Sequence, residues 1–212
     1  MKHGDTTDDR RIESVLAELG ALRGAIDAIG GGEASTLVAM ARAISGSLAA
    51  GHVVFTCGNG GSAADAQHIA GELVGRFRRK KTRGYRAFAL TTNSSVVTAL
   101  ANDFGYDEVF ARQLEAMGGA GDVLLALSTS GDSLNVVAAV REARALGMTT
   151  LAFSGAGGGA LAGESHLAIV VPHDDFARIQ ELHMALGHIL CGLVEEILTS
   201  GGPAGPDDGP PA

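Results

Sequence analysis

Apolar residues recur at helical spacing from Arg11 to Ile29 (Ile12, Val15, Leu16, Leu19, Leu22, Ile26), which predicts an amphipathic helix. A second helix is expected over Ser35–Ala50, with Ser35 as its cap. The period then changes. Five short β-rich runs follow, at His52–Cys57, Arg86–Thr91, Asp122–Ser128, Met148–Ser154 and Leu167–Val171. Most are almost continuously apolar, as a strand covered on both faces should be. Helical segments separate them: Ser62–Arg76, Ser94–Ala101 with Glu108–Met117, Ser133–Leu146, and a short piece at Gly159–Ala162. A long C-terminal helix, Asp175–Thr199, follows the last strand. Strands alternating with helices imply right-handed βαβ crossovers. The expected class is α/β: a three-layer αβα sandwich around a five-stranded parallel sheet, with N-terminal helices and a long C-terminal one. One domain is expected over residues 10–199. Residues 1–9 and the Gly/Pro/Asp-rich tail 200–212 are expected to be disordered.

Composition narrows the function. In 212 residues, apolar types make up 46% against 19% charged, so there is enough to build a core. Aromatics reach only 4%, leaving little surface for stacking bases. A net charge of −8 argues against nucleic-acid and anionic-membrane partners. The basic stretch from Arg76 to Arg86 runs against that trend and reads as a solvated loop. Cys57 and Cys191 stand in apolar or helical settings, as reduced buried thiols do. The N-terminus is too acidic and polar for a signal peptide, and no apolar run approaches the roughly 18 residues of a membrane span. A cytoplasmic protein is expected.

In an open α/β sheet, ligands bind outside the carboxyl ends of the strands. Two loops rich in small polar residues fall there, Gly58-Asn59-Gly60-Gly61-Ser62 after the first strand and Ser128-Thr129-Ser130-Gly131-Asp132-Ser133 after the third. Each leads directly into a helix, so backbone N–H groups and the helix dipole suit an anion. The first loop formally fits a dinucleotide fingerprint, but Thr91-Thr92-Asn93 stands where the ribose-binding acid is expected. No Lys-Ser/Thr pair follows, which excludes a Walker A loop. Plain tight turns remain an alternative, although two such loops on neighbouring strands favour a compact phosphorylated ligand and no nucleotide cofactor. His68 and Glu72 share a helix face at i, i+4, a spacing that can hold a metal or pair a carboxylate with an imidazole. On the C-terminal helix, Gln180, Glu181, His183 and His188 interrupt an apolar stripe. A carboxylate and an imidazole flanking a sugar are what aldose–ketose interconversion requires.

The segments Cys57–His68, Ala101–Gly105, Ser128–Ser133 and Ala177–His183 closely resemble phosphoheptose isomerases, sugar isomerases of the SIS fold, over roughly residues 35–198. That resemblance implies conversion of sedoheptulose 7-phosphate to D-glycero-D-manno-heptose 7-phosphate by a homotetramer with interfacial active sites. It implies Glu72 as base and His188 as its acid/base partner. It also implies Ser128, Thr129, Ser130 and Ser133 as phosphate cradle, Asn59, Gly60, Gly61, Glu72, Asn102, Asp103 and Gln180 as sugar ligands, and one zinc per subunit on His68, Glu72, Gln180 and His188. Asn93 departs from the Asp of many relatives, and the loop before the second strand is unusually basic. Gln180 and His188 lie eight residues apart, about 12 Å along a helix. Either the helix begins after Gln180 or a second subunit supplies one ligand. A non-enzymatic SIS relative that binds a replication initiator lacks the pair corresponding to Glu72 and His188, and another phosphosugar isomerase is a further alternative.

Overall fold

The structure is a computed structural model that describes residues 6–75, 77–78 and 84–200. Helices α1 (Thr6–Asp27) and α2 (Gly31–Ala49) precede β1 (Val54–Cys57) and α3 (Gly61–Val74). Next come β2 (Ala87–Ala89), α4 (Ser94–Phe104), a 3₁₀ turn (Tyr106–Glu108), α5 (Ala111–Met117) and β3 (Val123–Ser128). Helix α6 (Leu134–Ala145), β4 (Thr149–Ser154), α7 (Gly159–Glu164), β5 (Leu167–Val170) and α8 (Phe176–Ser200) complete the order. All five strands are parallel, in the order β2-β1-β3-β4-β5. The α/β class and the parallel sheet expected from the pattern are present.

The sheet is covered on both faces because its central strands are apolar at every position. In β3, Leu125 and Leu127 enter the core shared with Met40, Ile44, Ile69, Leu182, Leu186 and Leu190 of α2, α3 and α8. Leu124 and Ala126 point the other way, among Leu114, Val136 and Val140 of α5 and α6. Successive side chains of a strand alternate faces, so a continuous apolar run serves two layers. Helix α8 meets the length and composition of a membrane span. Here it is a packing helix, burying Ile179, Leu182, Leu186, Leu190 and Val194.

Several boundaries differ from the sequence expectation. Helix α1 starts at Thr6, so residues 6–9 are helical where disorder was expected. Their acidity favours the helix start, since Asp8 and Asp9 lie in the first turn and oppose the dipole, and Arg11 bonds Asp8 at 2.8 Å. The rest of that expectation, residues 1–5 and the tail from 201, lies outside the described residues; Ser200 ends α8. Helix α2 begins four residues before Ser35, because the Glu33 carboxylate accepts the Gly30 N–H at 2.9 Å and caps the start. Strand β2 is short, and its central Phe88 is 57% exposed, as befits an edge. Helix α4 runs on to Phe104, and Asn93 caps it by accepting the Val96 N–H at 3.1 Å. Of the basic stretch, only residues 77–78 and 84–86 are described.

Candidate active site

Strands β1 and β3 are neighbours, yet the chain leaves them in opposite directions, through α3 to β2 and through α6 to β4. Their carboxyl ends therefore flank the point where the strand order reverses, the usual ligand crevice of an open parallel sheet. Both loops singled out in the sequence meet there.

The loop after β3 is hydroxyl-rich and internally bonded. Ser128 Oγ lies 3.0 Å from Ser133 Oγ and 3.3 Å from Ser130 Oγ. The Gly131 and Asp132 N–H groups donate to Ser128 and Ser130 Oγ, each at 3.2 Å. Gly131 has φ +75°, and a Cβ there would collide with the Gly158 carbonyl, so the tight turn requires glycine. Ser133 is the residue before α6, which places three hydroxyls at a helix N-terminus. Thr129 lies half-buried in the same turn.

The loop after β1 carries Asn59, Gly60 and Gly61 into α3. The Asn59 carboxamide exchanges two hydrogen bonds of 2.8 Å with that of Asn135 on α6. Its Oδ1 also accepts from the Tyr106 hydroxyl at 3.2 Å. Tyr106 thereby joins the Asn102–Gly105 corner to the glycine loop, while Asn102 and Asp103 are exposed and bonded to each other at 2.8 Å.

Helices α3 and α8 lie side by side and run in the same direction. Near their beginnings, the Gln180 carboxamide sits so close to Gly61 that a Cβ there would clash. One turn on, Asp65 hydrogen-bonds Gln180 and is itself buried, with Oδ2 finding no hydrogen-bond partner among the described residues. Burial pushes its carboxyl up to about 6, despite the hydrogen bond from Gln180 and the nearby His68. Further along, Gly187 approaches Ile69, and His188 reaches the pair on α3. His188 Nε2 stands 2.8 Å from His68 Nε2, and His68 Nε2 stands 3.3 Å from Glu72 Oε1. The His188 ring also stacks on Phe77, with centroids 5.7 Å apart and planes 9° from parallel.

His68, Glu72 and His188 thus offer three ligand atoms all within 4.8 Å of one another. Two imidazoles and a carboxylate are a zinc donor set, and two ring nitrogens aimed at each other suit a shared cation. Gln180 is not at this level. Helix α8 begins at Phe176, close to the expected Asp175, so of the two alternatives a helix start after Gln180 is excluded. A regular helix keeps Gln180 and His188 about 12 Å apart.

Two further sequence candidates lie outside the site. His183 is fully buried beside Phe153, its Nε2 bonds the Ser154 carbonyl at 3.1 Å, and burial lowers its pKa to about 4. Glu181 pairs with Arg178 at 2.9 Å. Sequence reasoning missed Asp65, Phe77, Tyr106 and Asn135. The i, i+3 and i, i+7 relation of Asp65 to His68 and Glu72 was a usable signal for the first; the others meet the site only through folding. Both cysteines are buried and outside any disulfide, and desolvation raises the Cys57 thiol to about 12, far from a reactive thiolate.

The SIS domain family matches residues 20–155 of the chain. A phosphoheptose isomerase from Roseiflexus sp. (strain RS-1) is 49% identical over 166 residues, covering 78% of this chain and 84% of the relative. The structure of a phosphoheptose isomerase from Neisseria gonorrhoeae superposes with a TM-score of 0.78 at 38% identity, over 89% of this chain and 98% of that one. One from Francisella tularensis gives 0.79 at 33% identity, over 91% and 100%.

Proposed function

The chain belongs to the phosphoheptose isomerases of the SIS-domain family, and from that premise we propose that it converts sedoheptulose 7-phosphate to D-glycero-D-manno-heptose 7-phosphate by proton transfer through an enediol. The observation that carries the proposal is the convergence of Glu72 and His188 on one point beside His68. Each comes from a different helix, and the carboxylate and imidazole together supply the two proton-transfer groups the reaction needs.

The hydroxyls of Ser128, Thr129, Ser130 and Ser133, with the N-terminus of α6, bind the phosphate through neutral donors. Asn59, Gly60, Gly61, Asn102, Asp103 and Gln180 face the sugar. The Glu72 carboxylate removes a proton from carbon 1 of the ketose, giving the enediol, and returns it to carbon 2. The His188 imidazole moves the proton between the oxygens on those two carbons. No nucleotide takes part, since the electrons stay within the sugar. His68, Glu72 and His188 would hold one zinc per subunit, with Gln180 supplied by a second copy, and a cation held there would supply Lewis-acid polarisation of a carbonyl.

The enzyme is read as a cytoplasmic homotetramer with interfacial active sites, one SIS domain per chain. Its uncovered apolar helix faces support the self-association. Incubation with sedoheptulose 7-phosphate in deuterated water tests the reaction: an aldose heptose 7-phosphate should form with deuterium at carbon 2. Formation of no aldose would defeat the reading.

A further inference from the structure

We propose that Asn135 is a positioning residue, which clamps the glycine loop to the phosphate loop through Asn59 and so fixes the distance between the two ends of the substrate site. The functional part of this inference rests on the phosphosugar reading above.

Within Gly58-Asn59-Gly60-Gly61, Asn59 alone has a side chain. Glycine backbones are conformationally loose, so this side chain is the loop's own side-chain handle, beside the backbone bonds that Ala63 and Ala64 donate to the Asn59 and Gly60 carbonyls. The side chain is engaged at both its oxygen and its nitrogen. Its Oδ1 accepts from both Asn135 Nδ2 and the Tyr106 hydroxyl, and one of its two N–H bonds goes to Asn135 Oδ1. A carboxamide oxygen has two lone pairs. Asn59 therefore has a single N–H left for a ligand, and its side chain works chiefly as half of the clamp.

Asn135 is the other half. It is 2% exposed and stands two residues after Ser133, in the first turn of α6. Asparagine is a poor helix former, and a buried carboxamide without partners is costly. Here both demands are answered by the same reciprocal pair. The pair crosses between β1 and β3, with the phosphate hydroxyls on one side and the glycine turn on the other. An open-chain substrate with phosphate on carbon 7 and carbonyl at carbon 2 has to span that gap in register with Glu72.

The test uses the full-length protein and the variants Asn135→Ala, Asn59→Ala and their combination. In hydrogen–deuterium exchange without ligand, Asn135→Ala should speed exchange in residues 58–62, while β4 and β5 stay as in the parent. In the Glu72→Gln background, where turnover is slowed, titrations completed before product accumulates compare sedoheptulose 7-phosphate with inorganic phosphate. Losing the clamp should weaken the sugar phosphate about tenfold, as expected for roughly one hydrogen bond, and leave inorganic phosphate unchanged. The double variant should be no worse than Asn59→Ala alone, because the two amides act as a unit. Unchanged exchange at 58–62, or equal losses for both ligands, would overturn the proposal. If Asn135→Ala does not fold, Tyr106→Phe takes its place: Tyr106 is 53% exposed, and removing its hydroxyl should cut the sugar-phosphate preference about threefold; no change refutes the clamp. Turnover by the parent protein is scored separately. If it fails, the phosphosugar reading fails, and the exchange measurement alone judges the clamp.

Discussion

At Glu72 the demand is geometric before it is electrostatic, since a base must reach the proton it removes. Its carboxylate lies among imidazoles on a face of α3 that also carries Gly61, Asp65 and His68. Glu72→Gln keeps shape and hydrogen bonding while removing basicity. It should leave thermal unfolding unchanged and lower kcat by roughly 10²–10⁴-fold. His188→Gln should lose a similar factor, together with any zinc measured by atomic absorption. Dialysis against a chelator should abolish activity if zinc is required, and zinc alone should restore it. Parental rates in both variants would remove these residues from the mechanism. The His68–Glu72 pair was legible because i, i+4 on a helix is a contact that sequence spacing dictates. The place of Asn135 was not, because nothing local distinguishes an asparagine bonded across two loops from one facing water.

Elements bring these residues together, and their own stability sets conditions on the site. Helix α8 is apolar enough to anchor itself, but it buries His183, whose one hydrogen-bond partner among the described residues is the Ser154 carbonyl. An imidazole with a pKa of about 4 in the folded state, against about 6.5 unfolded, refuses a proton that the unfolded chain accepts. Its contribution is therefore present above pH 6.5 and lost as pH falls from 6.5 towards 4, on the order of 3 kcal/mol. His183→Gln should flatten the acid limb of a denaturant-midpoint profile across that window; an unchanged limb would show that His183 does not set it. The loop before α6 makes a different demand. Ser130 and Ser133 hydroxyls should touch phosphate in ground and transition states alike, so Ser130→Ala or Ser133→Ala should raise KM with kcat nearly kept. Loss of one bond to a charged group costs about 1.5–3 kcal/mol, which is roughly a 10- to 150-fold change. A collapsed kcat at parental KM would contradict the phosphate assignment. The strands were readable because a doubly covered strand is apolar throughout. Helix starts were not, since the true caps are an acidic first turn in α1 and the Glu33 carboxylate in α2.

The whole chain leaves surface that one copy does not cover. Helix α1 is tied down by Leu22 and Ala25, by Ile29 just beyond its end, and by Arg178 donating to the Glu18 carbonyl at 2.9 Å. Its other stripe, Ile12, Val15, Leu16, Leu19 and Ile26, is at least 53% exposed at every position. Helix α4 buries none of its residues, although it carries Val96, Val97 and Leu100. A large apolar side chain gains roughly 1.5–3 kcal/mol on full burial, and these are already partly covered. Two α1 stripes meeting would gain energy of the same order as the roughly 4–15 kcal/mol that association costs. One such contact is marginal, so the α4 face should be covered as well, and two distinct self-complementary contacts generate a tetramer. Light scattering should then give about four times the 21.5 kDa chain mass. Leu16→Glu with Leu19→Glu places charge in the α1 contact without touching the core. That variant should keep its circular dichroism and fall to a smaller species, and it should lose turnover if the site is shared between copies as proposed above. A parent protein that runs as a monomer at micromolar concentration would refute the assembly. A dissociated variant with full activity would refute only the shared site, and would require one chain to hold every catalytic group.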